Sequence, residues 1–326
     1  MIIGIDETGT FDLNSTGMSL FVGSHFLDLP DLHEMTKNLS YWKQKYKHLK
    51  NPKGEIKSSK IDETIADDFI ENVIIPQKNF HFNVCAVVPS EHRKKDIQFH
   101  RDHHIQCLND GIRECDNVGN HKLARQYTEL RNWYKNLNYQ LLLKTWILGE
   151  MLGCSFVEHV IQTILDKTDK TLGIIRLSVD RDFIKEPTHI IFWKDFLRNQ
   201  FYNYTYRHPV PIISEWSTDH PFFMGKGRNA QMKTGAVIDS KHIFRDNCNF
   251  AESHCTPEIQ VADIIAKVIA NYYNHHTFVS AYGKLKPYMI PFRTQKITLL
   301  KMSTPEQSKP SSVPNPYKNL ADAVEV

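Results

Sequence analysis

At 326 residues and 38.0 kDa, with 41% hydrophobic and 24% charged residues, the chain has the composition of a globular protein with a substantial core, in one large domain or two ordinary ones. No run of about 18 apolar residues occurs, and the first residues carry neither a basic segment nor a small-residue cleavage site, which argues against a membrane span or a secretion signal and favours the cytoplasm. A net charge of +3 neither demands nor excludes a nucleic-acid partner, and six scattered cysteines are too sparse for a disulfide framework.

The chain opens MIIGIDETGT, and this stretch with MSLFVGSHFL reads as a hairpin across a Gly/Asn/Ser-rich connection. Leu32 to Leu49 is predicted helical, ended by the NPKG turn. In GEIKSSKIDETIADDFIENVI, Ile61, Ile65, Phe69 and Val73 recur every fourth residue, and Ser59 with Asp62 resembles a capping box, predicting a helix from near Lys60. Glu55 and Lys57 then lie in extended chain just ahead of it. FHFNVCAVV is a third strand, closed by Pro89. From about residue 91 to 170 the pattern is helical and charged, read as two or more helices inserted between strands and partly as a separate lobe. TLGIIRLSVD is a fourth strand ending on Asp180, followed by a helix from His189 to about Tyr202. VPIISEW is expected as a fifth strand, AVID as a short one, and the segment from Met224 to Gly235 as a basic loop. TPEIQVADIIAKVIANYYN is the last strong helix, with Thr256 as N-cap and Pro257 in the first turn. Residues 301–326 are Pro/Ser-rich and expected to be a flexible tail. Antiparallel strands followed by alternating strands and helices predict an α/β fold, a mixed sheet with helices on its faces, spanning residues 1–300.

The last helix is apolar over most of its circumference from Ile259 to Ala270, which marks it as buried. Its polar exceptions Gln260, Asp263 and Lys267 share one stripe. Asp263 is therefore an acid on a core helix. Asp6 at the end of the first strand, Asp180 at the end of the fourth, and Glu55 ahead of a helix each have an ordinary reading as surface, capping or ion-paired acids. Together they lie at element ends, where open α/β sheets gather their sites.

DETG after the first strand, GEIKSSK before a helix, the strand ending in Asp180, IDSKH, and IQVADIIA on the last helix together resemble a widespread prokaryotic family of uncharacterised RNase H-like proteins. That family usually carries DESG and a Q-x-A-D helix; here Thr8 replaces the Ser and keeps a hydroxyl. The resemblance covers both ends and a few islands, leaving out the helical stretch and the tail. It implies an RNase H-like fold whose carboxylates, from the first strand, a later strand and a C-terminal helix, converge on Mg²⁺ or Mn²⁺ for two-metal phosphodiester hydrolysis. Carried over, Asp6 would be the ligand shared by both ions, with Glu55, Asp180 and Asp263 completing the site. Glu7 faces the other side of a regular strand and ranks second; Asp182 and Asp239 are further candidates. Lys57, Lys241, Ser240 and Gln260 are expected to contact substrate. The expected substrate is RNA or DNA, and a role in phage defence with a partner protein or a second copy is compatible. The other reading from a different class is a module that binds nucleic acid or a partner protein without cutting it.

Neighbouring chemistries fit less well. Actin-like phosphotransfer places Gly two residues after the strand Asp, where this chain has Thr8, and exonucleases of D-x-E type are excluded by the same residue. MGKGRNAQMKTG lacks P-loop spacing, and His242, Cys248, His254 and Cys255 lack the spacing of a zinc knuckle. YWKQKYKHLKNPKGEIKSSK, with seven lysines, three aromatics and one acid, reads equally as a nucleic-acid groove or a solvated helix face.

Overall fold

A computed structural model describes residues 1–165, 175–181, 186–207, 242–290 and 296–302. The expected strands VPIISEW and AVID, the basic loop and the tail beyond residue 302 lie outside those residues.

The opening hairpin is β1 (Ile2–Thr8) and β2 (Ser19–Phe26), antiparallel, with Asp6 opposite Val22. The strand does not stop at Asp6: Glu7 and Thr8 still pair with Phe21 and Leu20. Gly9 then turns the chain at φ +105°, where a Cβ would stand 2.4 Å from Ser19 Oγ, so the glycine of DETG is required twice over.

The first helix, α1 (Leu29–Lys45), starts earlier than its pattern predicts, because the Asp28 carboxylate accepts from the Asp31 N–H and Pro30 suits the first turn. The second, α2 (Glu63–Phe69), starts later. Its cap is Asp62, which accepts from the Ile65 N–H at 2.9 Å, rather than Ser59; Ser58–Lys60 instead forms a single 3₁₀ turn. The helix runs on through a π turn at Ile70–Ile74 and buries Phe69, Val73 and Ile74.

Next come β3 (His81–Val87), the helices α3 (Lys94–Asn117), α4 (His121–Asn136) and α5 (Tyr139–Leu165), then β4 (Arg176–Asp180) and α6 (Pro187–Arg207). The short β5 (Cys248–Ala251), whose polar Asn249 and four-residue length hide it from pattern reading, follows. The chain then enters α7 (Pro257–His275), α8 (Val279–Leu285) and the two-residue β6 (Thr298–Leu299).

The sheet order is β5-β4-β1-β2-β3-β6. Among the described strands only β2 runs against its neighbours; β4 is parallel to β1, β5 to β4, and β6 to β3. The fold is α/β, a mixed six-stranded sheet with helices on both faces.

Alternation along each strand sends side chains to two separate cores. Ile3, Ile5, Phe21, Cys85, Val87, Leu177 and Val179 meet the helices between residues 94 and 207. Ile2, Leu20, Val22, Phe82, Val84 and Ala86 meet α1, α2, α7 and α8. The described helices α3 to α5 of the stretch expected to be partly a lobe pack, together with α6, against one face of the sheet. The interior between them is aromatic: the Tyr134 ring stacks on Phe196 at 5.3 Å, and the half-buried His104 lies against both.

Helix α7 lies against β1 at Gly4. A Cβ there would stand 2.2 Å from the Glu258 carbonyl carbon, so only glycine admits the helix at this distance. Ser24 Oγ donates to the same Glu258 carbonyl at 2.8 Å, satisfying a first-turn group of the helix. Among the described residues no helix is long and apolar enough to cross a membrane, and all six cysteines are free thiols.

Candidate functional site

Gly4 and Asp6 share the face of β1 that α7 covers, so the close approach at Gly4 carries Asp263, further along the helix, toward Asp6. Asp180 ends β4, one residue past the Ile5–Val179 register pair, beside Asp6. Asp180 and Asp263, from two other elements, thus each lie near enough for their charges to act on Asp6.

Asp6 is 6% exposed and its Oδ1 accepts from the Glu7 N–H at 2.7 Å. Burial, then the negative charges of Asp263, Glu7 and Asp180, push its carboxyl well above the usual carboxylate range, against that one N–H. Burial also raises Asp263, although both its oxygens are engaged: Ser58 Oγ donates to Oδ1 at 2.6 Å and the Ser58 N–H to Oδ2 at 3.2 Å.

Glu55 adjoins this group, close enough for its charge to act on Asp263. It is buried, yet its acidity moves the other way. Burial pushes its pKa up, but hydrogen bonds from Ser253 Oγ (2.6 Å) and Asn51 Nδ2 (3.2 Å) and the Lys57 ammonium (3.2 Å) outweigh it and hold the carboxyl below the usual range. Glu55 is thus held as an ionised carboxylate by three donors.

Lys57, expected at a phosphate, lies against Glu55 and also donates to Ser253 Oγ at 3.2 Å. Gln260, expected at substrate, is buried; its Nε2 donates to the Ser253 carbonyl at 2.7 Å and so fixes the turn that holds Glu55. Glu7 faces the opposite layer and pairs with Lys144 of α5 at 2.7 Å. Asp182, Asp239, Ser240 and Lys241 lie outside the described residues. The structure therefore brings Asp6, Asp180 and Asp263 together, places Glu55 beside them in a network of its own, and turns Glu7 away.

No protein-family model, curated protein or solved structure matches the chain. The site's own chemistry must carry its reading.

Sequence reasoning missed Ser58, Ser253 and Glu258. Ser58 was legible as the residue after Lys57 in GEIKSSK; Ser253 sits in ESHC, which has no motif. Glu258 is buried at the start of α7 and accepts from Ser178 Oγ at 2.7 Å, tying the helix start to β4.

The donors are hard oxygens, the chemistry that suits Mg²⁺ or Mn²⁺. Crowded buried acids with a raised pKa are what a divalent cation would relieve. Among the described residues, however, no three His, Cys, Asp or Glu side chains form a ready coordination shell, and Ser58 occupies both oxygens of Asp263. The described residues suit such a metal in donor type, but they are not gathered into a coordination shell for it.

Proposed function

We propose that the chain is a metal-dependent phosphodiesterase of RNase H-like fold that hydrolyses RNA or DNA. The observation that carries this reading is Asp6, a buried acid on the first strand that experiences the charges of Asp180 and Asp263 from a parallel strand and a late helix. The mixed sheet with helices on both faces agrees with it. Asp6, Asp180 and Asp263 would hold Mg²⁺ or Mn²⁺. When bound, such ions activate water and stabilise the leaving oxygen of a phosphodiester. Ser58 keeps Asp263 oriented, and Glu55, gripped by Ser253 and Asn51, keeps Lys57 at the border of the site as a positive charge for the substrate backbone.

The decisive experiment combines cleavage and metal binding. Wild type should cut a labelled single-stranded oligonucleotide in Mn²⁺, and Asp6→Asn and Asp263→Asn should fall to background while melting cooperatively. Mn²⁺ at about a hundredfold excess over its Kd should stabilise wild type by ~2.7 kcal/mol and Asp6→Asn not at all. Unchanged cleavage in both variants overturns the assignment.

One observation favours a second reading, a module that binds nucleic acid or a partner protein without cutting it. Ser58 and Ser253 satisfy Asp263 and Glu55 with no ion required. Titration calorimetry showing no heat with Mn²⁺ or Mg²⁺, alongside retained oligonucleotide binding, would select it.

A further inference from the structure

The acidic site is bordered by a cationic cluster built from three separate segments. Lys53, in the turn between Asn51 and Glu55, places Nζ 3.1 Å from Glu252 Oε2. Arg181, the residue after Asp180, places Nη2 3.0 Å from Glu252 Oε1. His254 Nδ1 lies 3.1 Å from Oε2. Glu252 itself directly follows Ala251, the register partner of Asp180, so the cluster sits at the same strand ends as the buried acids.

Two permanent cations and an imidazole share a single carboxylate, whose pKa the neighbouring Lys53, then Arg181 and His254, hold below the usual range. Lys53 and Arg181 remain 62% and 49% exposed on their side chains. Exposed ion pairs of this kind contribute little, because water screens them and long side chains must be ordered to make them, so another anion can replace the carboxylate at little cost. A phosphodiester carries the same single charge on two non-bridging oxygens. The Arg fork and the Lys ammonium suit it as well as they suit Glu252.

We propose that Lys53, Arg181 and His254 form the seat for a backbone phosphate of the bound nucleic-acid strand, next to the scissile one, with Glu252 as the internal anion that yields its place when the strand arrives. This rests on the phosphodiesterase reading above. Arg181 adjoins a metal-ligand candidate in sequence, so a strand gripped there lies across the acids. Lys57 continues the same positive border toward Asp263.

The test measures binding of a fluorescent single-stranded RNA and its DNA counterpart by anisotropy in the Asp6→Asn background, over about 50 to 200 mM salt, with cleavage kinetics in the otherwise wild-type protein. Lys53→Ala with Arg181→Ala should weaken binding about tenfold or more and lower the slope of log affinity against log salt by about 2. Glu252→Gln should do the reverse, tightening binding several-fold and lowering KM with kcat kept, an effect that loss of a structural ion pair would not produce. If wild type cleaves in Mn²⁺ but neither change moves affinity, KM or the salt slope, the phosphate seat is overturned and the active-site reading stands. If the protein neither binds nor cleaves either oligonucleotide, both are overturned. A cooperative thermal melt for each variant separates these results from unfolding.

Discussion

Asp6 carries an electrostatic cost that can be measured. Its carboxyl binds a proton more tightly folded than unfolded, so from the ordinary value of 3.8 upward the folded state holds more protons than the unfolded state. Stability in the absence of divalent metal is therefore highest below that pH and declines as pH rises through the folded value. Asp6→Asn removes the penalty. In EDTA at neutral pH its urea midpoint should exceed that of wild type, and its pH slope above 4 should be shallower; an equal or lower midpoint at every pH would show that Asp6 is not strained. Gain of stability with loss of function is the signature of a functional acid. His25 supplies the opposite slope. It is buried, with Nε2 3.0 Å from Asn83 Oδ1, and burial lowers its pKa from 6.5 to about 4. The unfolded chain binds that proton first as pH falls, so stability is full above 6.5 and is lost progressively down to about 4, by about 3 kcal/mol. Urea midpoints of wild type and His25→Gln across that window should converge toward acid, the variant lacking most of the slope.

At the scale of elements, the site depends on how closely α7 approaches β1. The periodicity of IQVADIIAKVIA shows that this helix is buried, and Thr256-Pro257 shows where it starts. Nothing in that pattern shows that it lies on Gly4. The contact is decided by the missing Cβ, and it sets the height at which Asp263 faces Asp6. Gly4→Ala forces the Glu258 turn outward by more than its packing tolerates, at a cost of about 1–3 kcal/mol or more. It should lower the thermal midpoint and also weaken Mn²⁺ binding, measured by calorimetry, because Asp263 moves with the helix. A normal Mn²⁺ affinity in a destabilised Gly4→Ala protein would uncouple the two. The second helix teaches a related lesson. Both Ser59 and Asp62 are good caps by type, and the choice fell to Asp62 because the preceding Ser58–Lys60 turn aims Ser58 at Asp263.

For the whole molecule, the described helices α3 to α6 pack against one face of the sheet. Ile3, Ile5, Phe21 and Val179 would be bare without them. Removing residues 94–165 should therefore give insoluble protein, or a soluble form lacking near-ultraviolet circular dichroism, rather than a folded minimal domain. A cooperative melt in the truncated chain would show that the layer is an accessory. The ion pair of Lys144 with Glu7, both nearly buried, ties this layer to the strand that bears Asp6.

Taken by itself, the sequence determined the local features. Hydrophobic periodicity placed β1 to β3, the end of β4 and α7 to within a few residues, and marked residues 91–170 as helical without dividing them into α3, α4 and α5. The DETG turn, with its obligatory Gly9, and the acid on a buried helix were legible because each rests on residues adjacent in the chain. Glu7 was demoted by strand alternation alone, and its partner Lys144 agrees. The short β5, β6 and α8 were not legible, since their few residues are held by neighbours rather than by pattern. Only the tertiary structure decided which acids meet. Asp6, Asp180 and Asp263 are gathered by parallel pairing of β1 with β4 and by the Gly4 contact. Glu55 joins the same group as a ligand only through the family resemblance; in the structure Ser253, Asn51 and Lys57, drawn from both near and distant positions, hold its carboxylate. Spacing selects a residue type for a role, whereas the desolvation and hydrogen bonding that fix its charge come from chain segments as much as 198 residues away.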